Sequence, residues 1–256
     1  VNIKRTLIIA SMTVEENLRK RIQYILLFLS VVLVAASAML NTFSLGAQVT
    51  IIKDLSLSGI GLFGLLFTIS LLLNAVPGEI EHRTIYPLLA QPITKADYLW
   101  GKFLGTMALV TVNLLVLALE LMLVLYPYEH AIDFAILPAV LLIAVQCGIV
   151  GAMVIFFSLL VSYPLTISIV LFLFIVGGLS TDYIGLLFKE TPKLLAKMVL
   201  LIKLILPKFD FFIIKNAVVH NHAVSANFVW WTVIYGFVYI AAIMLVSEIV
   251  FERRDL

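Results

Sequence analysis

Side chains capable of chemistry are sparse in this chain and fall in a few places. The densest is the stretch Pro77–Lys102, where Glu79, Glu81, His82 and Arg83 stand together and are followed by Thr84, Leu88, Leu89, Gln91 and Pro92. Asn113, Glu120 and Gln146 are solitary polar residues inside long apolar runs, and His220 and His222 flank Asn221. None of these forms a catalytic pattern. There is no nucleophile elbow. There is no glycine-rich phosphate loop, because Gly101-Lys102 lacks the upstream glycine and is followed by Phe103. No paired Cys or Cys/His spacing suggests zinc, and two histidines on a loop read as solvated polar residues rather than ligands. The chain is therefore not expected to be an enzyme, to bind ATP itself or to hold a metal.

What the charged stretch can do follows from its surroundings. The 256 residues are 63% hydrophobic and only 12% charged, against about 25% charged in a typical soluble domain. Long uncharged runs place the chain among multi-pass membrane proteins. The formal net charge of +2 gives no reason to expect a nucleic-acid partner, and the lone Cys147 cannot form an internal disulfide. A charge at the bilayer centre costs roughly 2.5–3.5 kcal/mol, so Glu79–Arg83 must lie in water between two spans. Thr84 can cap a short helix with Pro87 in its first turn, Leu88 and Leu89 give that helix a greasy side, and Pro92 ends it. Thr94 and Asp97 then stand at capping-box spacing at the head of the next apolar run.

The periodicity predicts an all-α membrane protein with six spans in a single transmembrane domain, 1–256. Residues 1–21 read as an amphipathic surface helix, with Ile3, Leu7, Ala10, Val14 and Leu18 on one stripe and Lys4, Arg5, Glu15, Glu16, Arg19 and Lys20 opposite; Ile8 and Met12 depart from the pattern. Spans one to five occupy 22–187: Ile22–Leu40, Leu55–Val76, Tyr98–Tyr126, Ile136–Val161 and Leu165–Leu187. Asn41–Asp54 and Pro127–Asp133 are read as far-side loops, and Ser162-Tyr163-Pro164 as the break between the fourth and fifth spans. Gly59, Gly61 and Gly64 are read as one smooth face for helix packing, or as lining for a pathway. Glu120 lies 18 residues past Lys102, about 27 Å along a helix. That suits either a carboxylate reaching headgroup water or a substrate or proton contact. Lys189, Lys193, Lys197 and Lys203 share one face of an amphipathic segment within 188–227, read as extracytoplasmic and interfacial because those lysines argue against a crossing. Phe228–Phe251 is the sixth span, opened by Trp230-Trp231, and 252–256 is a tail. Lys4, Arg5, Arg19, Lys20, Arg21, Arg83, Lys95, Lys102, Arg253 and Arg254 fall on one side of this layout, against Lys53 alone in the far loops before the fifth span; the lysines of 189–203 run against the rule, but they come late in the chain, after the first spans have set the topology. That puts both termini in the cytoplasm and the protein in the cell (inner) membrane.

The acids, then Thr84, then Leu88-Leu89-Ala90-Gln91-Pro92-Ile93, Lys95 and Gly101-Lys102 resemble the permeases of type-2 ABC transporters. The residue before the threonine, usually glycine in that family, is Arg83 here, and Pro87 stands where a helix former is commoner. The resemblance implies that residues 1–21 are the elbow helix and that the segment between spans two and three carries the coupling helix, which docks on the ATP-hydrolysing subunit. The coupling residues would then be Glu79, Glu81, Arg83, Thr84, Leu88, Leu89, Gln91 and Pro92, with Asn113, Glu120 and Gln146 as candidates for the pathway. It further implies re-entrant helices outside the cell between spans five and six. ATP and Mg would sit on a partner ABC ATPase, and a second permease subunit would complete the path, in a homodimer or heterodimer. The expected function is ATP-driven movement of a substrate across the lipid membrane, with export favoured. The alternative is a non-transporting subunit that passes the ATPase's conformational change to an extracytoplasmic partner. A secondary transporter or channel is disfavoured by the few deep acids and the lack of inverted-repeat landmarks.

Overall fold

The computed structural model describes residues 3–40, 48–75, 94–130, 133–178, 207–219 and 224–253, all helical or connecting, with no strand among them. The helices are α1 (Ile3–Leu18), α2 (Arg21–Leu40), α3 (Gln48–Ala75), α4 (Lys95–Glu129), α5 (Ile136–Ser158), α6 (Tyr163–Gly178), α7 (Lys215–Val219) and α8 (Ala226–Glu252), with a 3₁₀ turn at Phe209–Phe212. Four of them, α3, α4, α5 and α8, are each long and apolar enough to cross a membrane. The pair α1 and α2, bent by 70°, forms a fifth candidate, and α6 is a shorter apolar helix.

The bundle is built around α5. Its sequence is apolar on every side, the signature of a helix surrounded by protein rather than one lying at a surface. It packs against α3, α4, α6 and α8, and Ile149, Val150, Ala152 and Ile155 are wholly enclosed. Close approach without a hydrophobic drive between helices requires small residues and shared hydrogen bonds. A side-chain carbon at Gly151 would meet Leu72 of α3 at 2.8 Å and Met107 of α4 at 3.0 Å, and Ser37 of α2 hydrogen-bonds Ser56 of α3 at 2.9 Å. By contrast α8 is mostly exposed, with Trp230 and Trp231 about two-thirds accessible, a face that lipid would cover.

Several boundaries follow the sequence chemistry. Thr94 caps α4, its Oγ1 accepting from the Asp97 backbone N–H at 3.1 Å. The break before Pro164 is present: α5 ends at Ser158, and α6 begins at Tyr163 with proline in its first turn, where the missing N–H costs nothing. Three expectations need correction. The stretch read as the loop Asn41–Asp54 is helical from Gln48 onward, because Lys53 and Asp54 are held by partners described below. Pro127 lies inside α4, which runs on to Glu129; the proline sits in the last turn and forfeits a single backbone bond there. His130 closes that helix in the left-handed region at φ 51°, its N–H donating to the Tyr126 carbonyl. Finally, Gly59, Gly61 and Gly64 do not share a face: Gly59 abuts Leu33 of α2, Gly64 faces Leu114 and Cys147, and Gly61 meets no neighbour among the described residues.

Candidate functional site

Glu79, Glu81, Arg83, Thr84, Leu88, Leu89, Gln91 and Pro92 lie outside the described residues, as do the lysines of 189–203 and His220 and His222. The helix ends that flank the charged stretch are described, and they are fastened to each other. Tyr98, fully buried in the first turn of α4, donates its hydroxyl to the carbonyl of Ala75, the last residue of α3, at 3.3 Å. Its ring stacks on Phe251 at the end of α8, with centroids 6.2 Å apart. Lys95 donates to the carbonyls of Phe251 at 3.2 Å and Glu252 at 3.4 Å, and its ammonium stands 5.5 Å from the Phe251 ring. A cation at the last carbonyls of a helix is favourable, because those carbonyls have no intrahelical donor and carry the negative end of the dipole. One turn of α4 therefore holds the ends of α3 and α8, and the two ends of the charged segment cannot separate without breaking it.

A second element braces the same end of the bundle. Helix α1 lies along the start of α4 with Thr6, Ile9, Thr13 and Asn17 buried between them. The contact is close because Gly101 and Gly105 of α4, a Gly-x-x-x-Gly step, have no side chains there. A carbon at Gly101 would fall 2.6 Å from Ile9, and one at Gly105 would fall 2.5 Å from the Ala10 carbonyl. Asn17 Nδ2 donates to Thr106 Oγ1 at 3.4 Å. Ile3, Leu7, Ile8 and Met12 remain exposed on the outer side, so the apolar stripe is free for lipid and includes the residues that spoiled the simple pattern. Of the charged side, Lys4, Arg5, Glu15 and Arg19 are exposed; Thr6, Thr13 and Asn17, which belonged to neither side of the sequence pattern, form the face that packs on protein.

At the end of α1, Glu16 bridges two lysines, Lys20 at 2.8 Å and the buried Lys102 at 3.0 Å. Burial pushes the Glu16 carboxyl up, but hydrogen bonds and charge from Lys20 and Lys102 outweigh it and hold it below the ordinary carboxylate value. A depressed carboxyl contributes stability that is complete above its ordinary range and is lost as pH falls through the depressed value. Spin labels at the exposed Ser11 and Thr111 should therefore report one narrow α1–α4 distance at neutral pH and a broadening one in acid. Glu16→Gln should be broad already at neutral pH and insensitive to acid. A Glu16→Gln protein that still broadens only in acid would remove this carboxylate as the cause.

The polar residues within the spans separate into two groups. Asn113 and Glu120 lie seven apart on α4 and so share a face; Asn113 Nδ2 and Glu120 Oε2 are enclosed without a hydrogen-bond partner among the described residues. Glu120 sits nine residues before the helix end at Glu129, about 14 Å in. Gln146 of α5 is elsewhere: it lines a cleft of about 300 Å³ between α3, α5, α6 and the turn before α7, to which neither Asn113 nor Glu120 contributes. Among the described residues, these three therefore do not line one cleft. Sequence reasoning missed the charges that tie the opposite end of the bundle, although consecutive unlike charges in an apolar context marked them. Lys53, fully buried, pairs with Asp133 at 2.6 Å, and Lys215 of α7 pairs with Asp54 at 3.2 Å while donating to Ser58 at 2.9 Å.

The described residues contain no cluster of His, Cys, Asp or Glu suited to a metal. A search of curated proteins returns no match. The model of the ABC-2 family transporter protein matches residues 7–256, nearly the whole chain. With several membrane-crossing helices and a braced helix end on either side of a charged segment, this multi-pass membrane protein is a permease component of an ABC transporter and belongs to the ABC-2 family.

Proposed function

We propose that this chain is a six-span permease that moves substrate outward, driven by ATP and Mg bound on a separate ATPase, with two permease subunits forming the path. The spans would be α2, α3, α4, α5, α6 and α8, α1 the elbow, and Pro77–Pro92 the coupling segment, all in one domain with both termini in the cytoplasm of an inner-membrane protein. The observation that carries this reading is the fastening of the two ends of that segment to each other and to α8 through Tyr98 and Lys95. A segment held in this way passes any displacement to three helices at once. The ATPase would shift the permease only through a difference in its affinity for two arrangements of that segment.

The test has two arms. Purified from its own cells, the chain should carry an ATPase with a phosphate loop, and vesicles holding the pair should move substrate only with hydrolysable ATP. In a Cys147→Ser background, Phe134→Cys and Lys208→Cys should react with an impermeant thiol reagent on intact cells. Glu15→Cys should react only after permeabilisation. Labelling of Glu15→Cys on intact cells would reverse the orientation.

A further inference from the structure

The cleft beside Gln146 has a polarity that runs along the helix axes. At its outer end stand Lys215 and Ser58, and at the rim, beyond the lining itself, Asp54 pairs with Lys215 at 3.2 Å, both partly exposed. From Ser58 the α3 wall continues through Gly61 and Leu62 to Leu65, seven residues or about 10 Å of depth. Over that depth the walls are apolar, Ile143, Phe174 and Phe212 among them, and Gln146 is the one amide among the described lining residues. Gly61 is decisive for the shape. Glycine within a helix costs about 1 kcal/mol relative to alanine. At Gly59 and Gly64 close packing against neighbouring side chains accounts for it, but a carbon added at Gly61 would meet nothing within 4 Å among the described residues. Its absence widens the cleft instead of admitting another helix.

We propose that this cleft is a binding site for the hydrocarbon chain of a zwitterionic amphiphile, with its head at Lys215 and Asp54. An apolar slot with a charged mouth fits one long chain ending in a polar head. The mouth is charge-balanced: Lys215 offers an ammonium to a phosphate, and Asp54 offers a carboxylate to an amine that carries protons. A purely anionic or purely cationic head would leave one of the pair without its counter-charge. Phosphate and primary amine joined in one head, as in phosphatidylethanolamine, satisfy both. This inference goes beyond the permease reading and does not need an ATPase, so the two can fail separately.

The experiment uses the full chain in phosphatidylcholine nanodiscs doped with phosphatidylethanolamine carrying a diazirine in its acyl chain, followed by irradiation and mass-spectrometric mapping. Adducts should concentrate on Leu65, Gln146 and Phe174, about tenfold above those on the lipid-facing Trp230 and Leu123. Unlabelled phosphatidylethanolamine should displace them and phosphatidylglycerol should not. Gly61→Phe should fill the slot and abolish these adducts, leaving those on Trp230 and the helical melting curve unchanged. Displacement by free lysophosphatidylethanolamine would identify an exchanging amphiphile as the occupant; adducts that resist it would identify a lipid taken from the bilayer. Cleft labelling no higher than at Trp230 would overturn the proposal, and that comparison is made on the unmodified protein whether or not Gly61→Phe folds. Cross-links joining two copies of the chain through the cleft would overturn it as well.

Discussion

Replacing Leu88 and Leu89 together by aspartate should leave a folded, membrane-inserted protein that no longer co-purifies with its ATPase. Burying one leucine side chain contributes about 1.5–3 kcal/mol. Two such side chains lost from a docking groove would weaken binding by roughly two to four powers of ten, at about 1.4 kcal/mol per factor of ten. The new carboxylates would add desolvation to that loss. The expectation rests on the sequence of the segment and on what lies to either side of it. Since Tyr98 holds Ala75 and Lys95 holds Phe251 and Glu252, the bundle should keep its packing when the tip of the segment is altered. The defect should appear in ATPase association and in substrate-stimulated hydrolysis, not in melting. A double variant that binds its ATPase and transports normally would take this segment out of the mechanism, and leucines resting only on lipid headgroups would give that result.

The parts of the architecture that could be read from sequence are those governed by local rules. Thr94 and Asp97 announced the start of α4 because a threonine three residues before an available N–H satisfies a donor the helix cannot. Pro164 announced the α5–α6 break because proline restricts the residue before it. What could not be read depended on partners distant in the chain. Lys53 and Asp54 looked like loop residues, yet Asp133 and Lys215 hold them on a helix. Thr6, Thr13 and Asn17 belonged to neither the apolar stripe nor the charged side of residues 1–21, and periodicity, which separates polar from apolar, does not say whether a side meets water or another helix. A signal for the second case was present in Gly101-Lys-Phe-Leu-Gly105, whose small residues four apart invite a close neighbour in membranes. The three glycines of α3 point to three surroundings for the same reason: at 3.6 residues per turn, positions 59, 61 and 64 cannot line up. Of the candidate site, Gln146 was picked out by its amide in an apolar run, but the cleft that it lines needed Phe174 and Phe212 from far along the chain.

The seam between α1 and α4 gives the second large effect. Gly105→Leu should lift α1 from the bundle. The first added carbon would fall 2.5 Å from the Ala10 carbonyl, 2.9 Å from Thr13 Cβ and 3.0 Å from Ala10 Cα. Two of those atoms are backbone, so a side chain cannot swing aside and the helix itself must move. Overpacking of this kind typically costs about 1–3 kcal/mol, and moving α1 would also strain the Asn17–Thr106 and Glu16–Lys102 contacts. In a Cys147→Ser background, Thr13→Cys should react slowly with maleimide, since Thr13 is 1% exposed, and rapidly once Gly105→Leu is added. The melting temperature should fall. Gly61→Ala is the matched control: it makes the same gain in helix propensity, about 1 kcal/mol, and its new carbon touches nothing among the described residues, so it should melt no lower than the parent. Gly105→Ala, with the same intrinsic gain, should melt lower, because the sign at each glycine is set by what the added carbon meets. Protected Thr13→Cys and unchanged melting in Gly105→Leu would mean that α1 is not seated on this glycine step. The seat matters to coupling because Lys102 and Gly105 stand one to two turns past the clasp at Tyr98. A displaced α1 would remove one brace from the start of α4, and ATP-driven motion of the segment before it should then reach the spans with less force.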